Sequence, residues 1–178
     1  MAITVSLKDL YVKGDSASVL KLLEALSLFR CKKGNDDVQD FLRKKSIIFE
    51  ELNLARTYII FDDHNLDIIG YFSIAVKVLD VCDLSKSQRK KLSAGIGDCT
   101  HVATFLVGQI GKSDKCGDRL IKYQILDTAI SYIKEAQNIV GGRIIYLDCL
   151  KDLIPYYEGR GLKLLTQNDK YAQMIMPI

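Results

Sequence analysis

The sequence predicts a mixed α/β (α+β) fold in which a mainly antiparallel central sheet, holding one parallel strand pair, is flanked by helices. Three observations predict it. Two helical stripes with three- and four-residue spacing stand before the first strong strands. A β-branched and aromatic run, turn chemistry and a second apolar run between Thr57 and Leu79 read as an antiparallel hairpin. A strand-like run at 100–109, a long amphipathic helix and an apolar run at 143–147 make a βαβ unit, whose strands are parallel neighbours with a right-handed crossover.

Residues 3–12 have strand character, and Gly14-Asp15-Ser16 supplies a break and a helix N-cap. Val19, Leu22, Leu23, Leu26 and Phe29 form the stripe of a first helix, closed by the loop Cys31–Asp36. Asn35 or Asp36 caps a second helix with Val38, Phe41, Leu42, Ile48 and Phe49 on its apolar face and Arg43, Lys44, Glu50 and Glu51 off it. Thr57–Phe61 and Ile68–Leu79 are the hairpin strands, joined by Asp62-Asp63-His64-Asn65, and Gly70 marks a bulge or close packing. Asp83–Leu92 is a polar excursion with Ser85 as its cap.

The strand at 100–109 leads into a helix over Asp118–Gln137, which buries Leu120, Ile121, Ile125, Ala129, Ile130 and Ile133. Gly141-Gly142 ends that connection. After Arg143–Leu147 comes a short helix with Asp152 as cap and Pro155 in its first turn, stopping at Gly159-Arg160-Gly161. Two closing strands, Leu162–Thr166 and Tyr171–Met176, flank the turn Gln167-Asn168-Asp169.

A chain of 178 residues with 48% hydrophobic content is expected to form a single domain over 1–178 with a sizeable core. No apolar run reaches the roughly 18 residues of a membrane span, and the start MAITVSLKDL lacks a signal-peptide pattern, so a cytoplasmic location is expected. The five cysteines are scattered without ligand spacing and read as reduced, mostly buried thiols; no metal is expected. A net charge of +3 gives no overall polyanion-binding field, although Arg43-Lys44-Lys45 and Arg89-Lys90-Lys91 are local basic clusters, a pattern more often just a solvated helix face.

The stretch Val102–Leu126 organises the rest. A strand feeding a helix N-terminus aims backbone N–H groups and the positive helix end at one point, where a phosphate or pyrophosphate sits. The pieces DVQDFL, IIGYFSIAVKVL, FLVGQIGKSDKCGDRLI and IIYLDCLKDLIPYYEGRGL, in this order, resemble the GNAT superfamily of acetyl-CoA-dependent N-acetyltransferases. The ending Tyr-Tyr-Glu-x-x-Gly-Leu is the most specific, being similar to the superfamily's (F/Y)Y-E-x-x-G-F. DVQDFL and GYFSI resemble the branch of toxin–antitoxin acetyltransferases.

The resemblance implies a GNAT-like sheet with a splayed parallel pair and acetyl-CoA as co-substrate. Its pantetheine arm would pair with the strand end Gln109-Ile110-Gly111-Lys112, and its pyrophosphate would meet the loop Ser113–Asp118, including Lys115 and Gly117. Tyr157 would stand near the sulfur and protonate or hydrogen-bond the departing thiolate; otherwise it is core with a polar tip, as Tyr156 beside it is read. Asp148 and Glu158 are positional candidates for the base, with water as the alternative. Cys116, His64 and His101 are read as bystanders.

The loop departs from the usual (Q/R)-x-x-G-x-(G/A), with Lys112 at the Gln/Arg position and Lys115 at the first glycine. Lysine there costs close backbone approach but adds point charges. Two functions follow. One is acetyl transfer from acetyl-CoA to a primary amine by direct attack, the acceptor being an aminoacyl-tRNA, a protein or a small amine. The other is a CoA- or protein-binding module with little or no catalysis. The toxin-like branch implies tRNA as partner. A homodimer through the sheet edge or terminal hairpin is expected by analogy with the fold class, and an antitoxin-like partner has no signal in the sequence.

Overall fold

The computed structural model describes the chain apart from residues 1, 33, 97 and 118–121, and of residues 122 and 123 it describes only the backbone. Its strands are β1 (Ala2–Ser6), β2 (Arg56–Asp62), β3 (Ile68–Asp80), β4 (His101–Lys112), β5 (Ile144–Leu150), β6 (Lys163–Gln167) and β7 (Tyr171–Pro177). The helices are α1 (Leu7–Lys13), α2 (Ser16–Leu28), α3 (Asp36–Asp40), α4 (Ser46–Glu51), α5 (Lys86–Leu92), α6 (Lys122–Val140) and α7 (Ile154–Glu158). The strands form one seven-stranded mixed sheet in the order β1-β2-β3-β4-β5-β7-β6, flanked by helices. A parallel ladder joins β4 and β5; β1–β2, β2–β3, β5–β7 and β6–β7 are antiparallel. The mixed, mainly antiparallel class expected from the sequence is therefore the one found. By contact the chain gathers into two compact units, Met1–Ala75 with Gly108–Ala129 and Val76–Val107 with Ile130–Ile178.

In the first unit the expected strand over 3–12 is cut short. Ser6 ends β1 by N-capping α1, its side chain accepting from the Asp9 N–H, and Asp9 then pairs with Lys13 one turn on at 2.6 Å. Asp15 caps α2 as expected, its carboxylate accepting from the Ser18 N–H at 2.7 Å. Leu22, Leu26 and Phe29 are buried, whereas Leu23 faces out.

The second predicted helix is real but changes pitch. Between α3 and α4 the segment Phe41–Lys45 is a π-helical turn, closed by the Ser46 N–H donating to the Phe41 carbonyl. One extra residue in a turn rotates everything after it by about 100°. That rotation corrects two expectations: Ile48 lies outside, 51% exposed, and Glu50 lies inside, 5% exposed. The buried Glu50 carboxylate accepts the Thr57 N–H at 2.5 Å and pairs with Arg56 at 3.0 Å. Asn35 stands at the cap position of α3 without a side-chain cap bond. The core of this unit joins Leu7, Leu22, Leu26, Phe41, Leu42 and Tyr71, with Phe29 edge-on to Tyr71 at 5.6 Å. In the β2–β3 hairpin the register slips beside Gly70, since Ile60 faces Gly70 but Phe61 faces Ile68.

In the second unit Ser85 and Gln88 close a full capping box on α5. Gly141 and Gly142 both adopt positive φ, and a Cβ on Gly142 would strike the Phe105 ring. The core joins Leu79, Val81, Leu92, Ile144, Tyr146 and Ile175. The predicted cap Asp152 instead sits within a 3-10 turn, Lys151–Leu153, and Leu153 occupies the cap position of α7 without a side-chain bond. Of the face predicted for the long helix, Ile125, Ala129 and Ile133 are fully buried, Leu126 joins them, and Ile130 is half-buried. Leu120 and Ile121 lie outside the described residues.

Candidate active site

The first unit carries the end of β4 and the turn after it. Gln109, Ile110 and Lys112 are half-buried, and Gly111 and Ser113 are buried. Gly111 is glycine for a packing reason: a Cβ there would collide with the Tyr71 ring, which is fully buried and donates its hydroxyl to the Val38 carbonyl. The parallel ladder spans only Phe105–Ile145 and Leu106–Tyr146, although β4 runs on to Lys112 and β5 to Leu150.

The turn itself is tightly tied. The Ser113 N–H donates to the Ile69 carbonyl and the Asp114 N–H to the Arg30 carbonyl, both at 3.0 Å, and Ser113 bridges to Cys31. The Lys115 N–H donates to Ser113 Oγ and the Cys116 N–H to the Ser113 carbonyl, both at 3.3 Å, closing a 3-10 turn. Four successive amides thus have acceptors within the protein. Gly117 leaves the turn exposed at φ 54° and ψ −132°, a conformation that disfavours any side chain. Asp118 lies outside the described residues. Lys112 is half-buried and Lys115 exposed, and among the described residues neither forms an ion pair. The Cys116 thiol is fully buried.

The second unit carries Tyr157. It is 9% exposed, and its ring packs edge-on against Tyr156 with centroids 5.0 Å apart. Burial, then the neighbouring Cys149 and Tyr156, pushes the phenol well above its ordinary range. Among the described residues none hydrogen-bonds its hydroxyl. The Tyr157 carbonyl accepts the N–H groups of Arg160 and Leu162 at 3.0 and 3.2 Å, so the chain folds back at Gly161, φ 85°, and buries Leu162. This is the local reason for the Tyr-Tyr-Glu-x-x-Gly-Leu spacing.

The positional base candidates are differently placed. Glu158 is exposed. Asp148 accepts the Tyr146 hydroxyl at 2.6 Å and lies 3.4 Å from the Lys77 ammonium, which itself sits 4.0 Å over the Tyr146 ring. Burial and that bond to Asp148 push the Tyr146 phenol up. This Lys77–Tyr146–Asp148 cluster, missed in the sequence, had no local signal because Lys77 and Asp148 are 71 positions apart. His64 and His101 are both exposed. Asp62, Asp63 and His64, read as turn residues, also line a cavity of about 670 Å³ together with Gln124 and Asp127.

The fold is similar to that of solved bacterial toxins, AtaT among them. One solved structure, described as a bacterial toxin, is 14% identical over 100% of this chain and 91% of its own, with a TM-score of 0.77. AtaT complexed with acetyl-methionyl-tRNAfMet is 17% identical over 99% of this chain and 95% of its own, with a TM-score of 0.75. A tyrosine-to-phenylalanine mutant of AtaT, bound to the C-terminus of the antitoxin AtaR and acetyl-CoA, is 13% identical over 99% of this chain and 92% of its own, with a TM-score of 0.70. The sequence matches no protein-family profile and none of the curated proteins. Among the described residues no helix is long and apolar enough to cross a membrane.

Proposed function

We propose that the chain transfers an acetyl group from acetyl-CoA to a primary amine. The observation that carries this reading is Tyr157, a buried phenol whose hydroxyl no described residue hydrogen-bonds, on a fold shared with acetyl-CoA-bound toxins. The thioester supplies an activated acyl carbon and a thiol leaving group. The neutral amine attacks that carbon, the C–S bond breaks, and the Tyr157 hydroxyl donates its proton or a hydrogen bond to the leaving sulfur. Water takes the proton lost by the amine, because Asp148 is already engaged by Lys77 and Tyr146.

The backbone of Gln109, Ile110, Gly111 and Lys112 holds the pantetheine arm. With the amides of Ser113 to Cys116 occupied, the diphosphate is held by the Lys112 and Lys115 charges, beside Gly117. The acceptor is read as the α-amine of an aminoacyl-tRNA, in keeping with the complex formed by AtaT. Calorimetric titration with acetyl-CoA, followed by amine-dependent release of CoA thiol, tests the proposal.

A second reading, a CoA- or protein-binding module with little turnover, is favoured by one observation, the four committed amides of the turn. Acetyl-CoA binding without any amine-dependent thiol release is its signature.

A further inference from the structure

The second unit holds a groove that the acetyl-transfer reading does not use. A cavity of about 190 Å³ opens where the last turn of α5 meets the start of β5 and the β6–β7 hairpin. Three cations stand around it, each from a different element and each exposed: Lys91 on α5, Arg143 just before β5, and Lys163 at the head of β6. Leu164, Ile175 and Pro177 are apolar in its lining, and no carboxylate is among the lining residues.

The ladder fixes this arrangement. Lys163 lies directly across from Ile175 on β7, and Pro177 lies across from Ile144 on β5. Arg143 is held beside them because its carbonyl accepts the Ile178 N–H at 2.9 Å. Lys91 is carried by a helix whose start is locked by the Ser85–Gln88 capping box. Among the described residues none of the three cations forms an ion pair. Arg89 and Lys90 continue the charge along α5.

We infer that this groove binds the phosphate backbone of an RNA, the nucleic-acid part of the acceptor. Three cations that form no ion pair among the described residues, around a lining without a carboxylate, favour an anionic partner. The cavity is smaller than the roughly 300–1,000 Å³ of a pocket that engulfs a metabolite. It admits one unit of an extended chain instead, with phosphates at the cationic rim and a sugar or base edge on the apolar floor. An arginine flanked by lysines suits phosphate in both fork and point-charge modes.

The inference rests on the reading of an RNA-borne acceptor, and its test separates the two. Fluorescence anisotropy of a labelled, deacylated tRNA transcript is measured over a salt series for the wild type, the K91E/R143E/K163E triple variant and a K44E/K45E control. Acetyl-CoA titration calorimetry and thermal melts are run on the same samples. The triple variant is expected to lose at least about tenfold in RNA affinity. Its slope of log affinity against log salt should fall by about 2–3, close to one counterion per lost phosphate contact. The control should stay near wild type, and acetyl-CoA heats and melting temperatures should be unchanged in all three proteins. Equal loss in triple and control, an unchanged slope, absence of RNA binding by the wild type, or displacement of RNA by a poly-glutamate peptide at lower concentration than by unlabelled tRNA would each overturn the groove assignment. None of these outcomes touches acetyl transfer, which stands or falls on the acetyl-CoA heats and thiol release.

Discussion

The main-chain N–H of Asp114 donates to the carbonyl oxygen of Arg30 at 3.0 Å, tying the turn after β4 to the segment that follows α2. With the Ser113 amide on Ile69 and the Lys115 and Cys116 amides on Ser113, the turn holds its own shape, and the proposed site turns on the Lys112 and Lys115 charges. Replacing Lys112 and Lys115 by alanine should therefore weaken acetyl-CoA about tenfold, or about 1.4 kcal/mol, by calorimetry. An acetylated pantetheine lacking the diphosphate should bind both proteins equally. Equal loss for both ligands would mean that the lysines act by shaping the strand.

Tyr157→Phe keeps the ring that packs on Tyr156 and removes only the hydroxyl. Turnover should fall about 100-fold, with little change in KM for acetyl-CoA and no change in melting temperature. Because the phenol is pushed up by burial, it keeps its proton across the neutral range, and the wild-type rate should show no alkaline decline before pH 10. Steady-state kinetics from pH 6 to 10 check both points.

Buried tyrosines also set the alkaline limit of stability. Tyr71, Tyr146 and Tyr157 have phenols pushed above their unfolded value, so the native state keeps protons that the unfolded chain gives up. Their contribution is fully present below about pH 10 and is lost as pH rises beyond it. The urea midpoint should be the same at pH 8 and 9 and should drop clearly by pH 11. A midpoint that holds at pH 11 would contradict the burial of these hydroxyls.

Glu50 supports the helix–strand junction of the first unit. Glu50→Ala leaves the Thr57 amide without its acceptor and removes the ion pair of Arg56, which keeps its bond to Asn53, and should cost about 2–3 kcal/mol in denaturant unfolding. Thr57 carries a buried hydroxyl with no hydrogen-bond partner among the described residues. Thr57→Val should thus be neutral or stabilising by about 1 kcal/mol, an opposite sign at adjacent groups.

How much of this could be read in the residues depends on how local the cause was. The hairpin, the cap at Ser85, the cap at Asp15 and the βαβ unit are written in spacing and end chemistry, and all of them are found. Ser6 as a cap inside a strand-like run needed the choice between strand and helix that Leu7 settles by being fully buried. The buried Glu50 was hidden because a π turn leaves no composition signal and inverts the face read from a 3.6-residue period. The naming of the β4 end with its turn, and separately of α7, as candidate site elements follows from motif spacing. The occupied amides of Ser113 to Cys116 do not, since their acceptors on Arg30 and Ile69 come from distant parts of the chain.

The most direct test of acetyl transfer is one titration carried to chemistry. Purified protein is titrated with acetyl-CoA in the calorimeter, methionyl-tRNA is added, and acetylated product and free CoA thiol are quantified by mass spectrometry. Saturable heat followed by equimolar product and thiol, both lost in Tyr157→Phe at early times, is the predicted result. No heat, or heat followed by neither product nor thiol with this acceptor or with small amines and peptide N-termini, would contradict it.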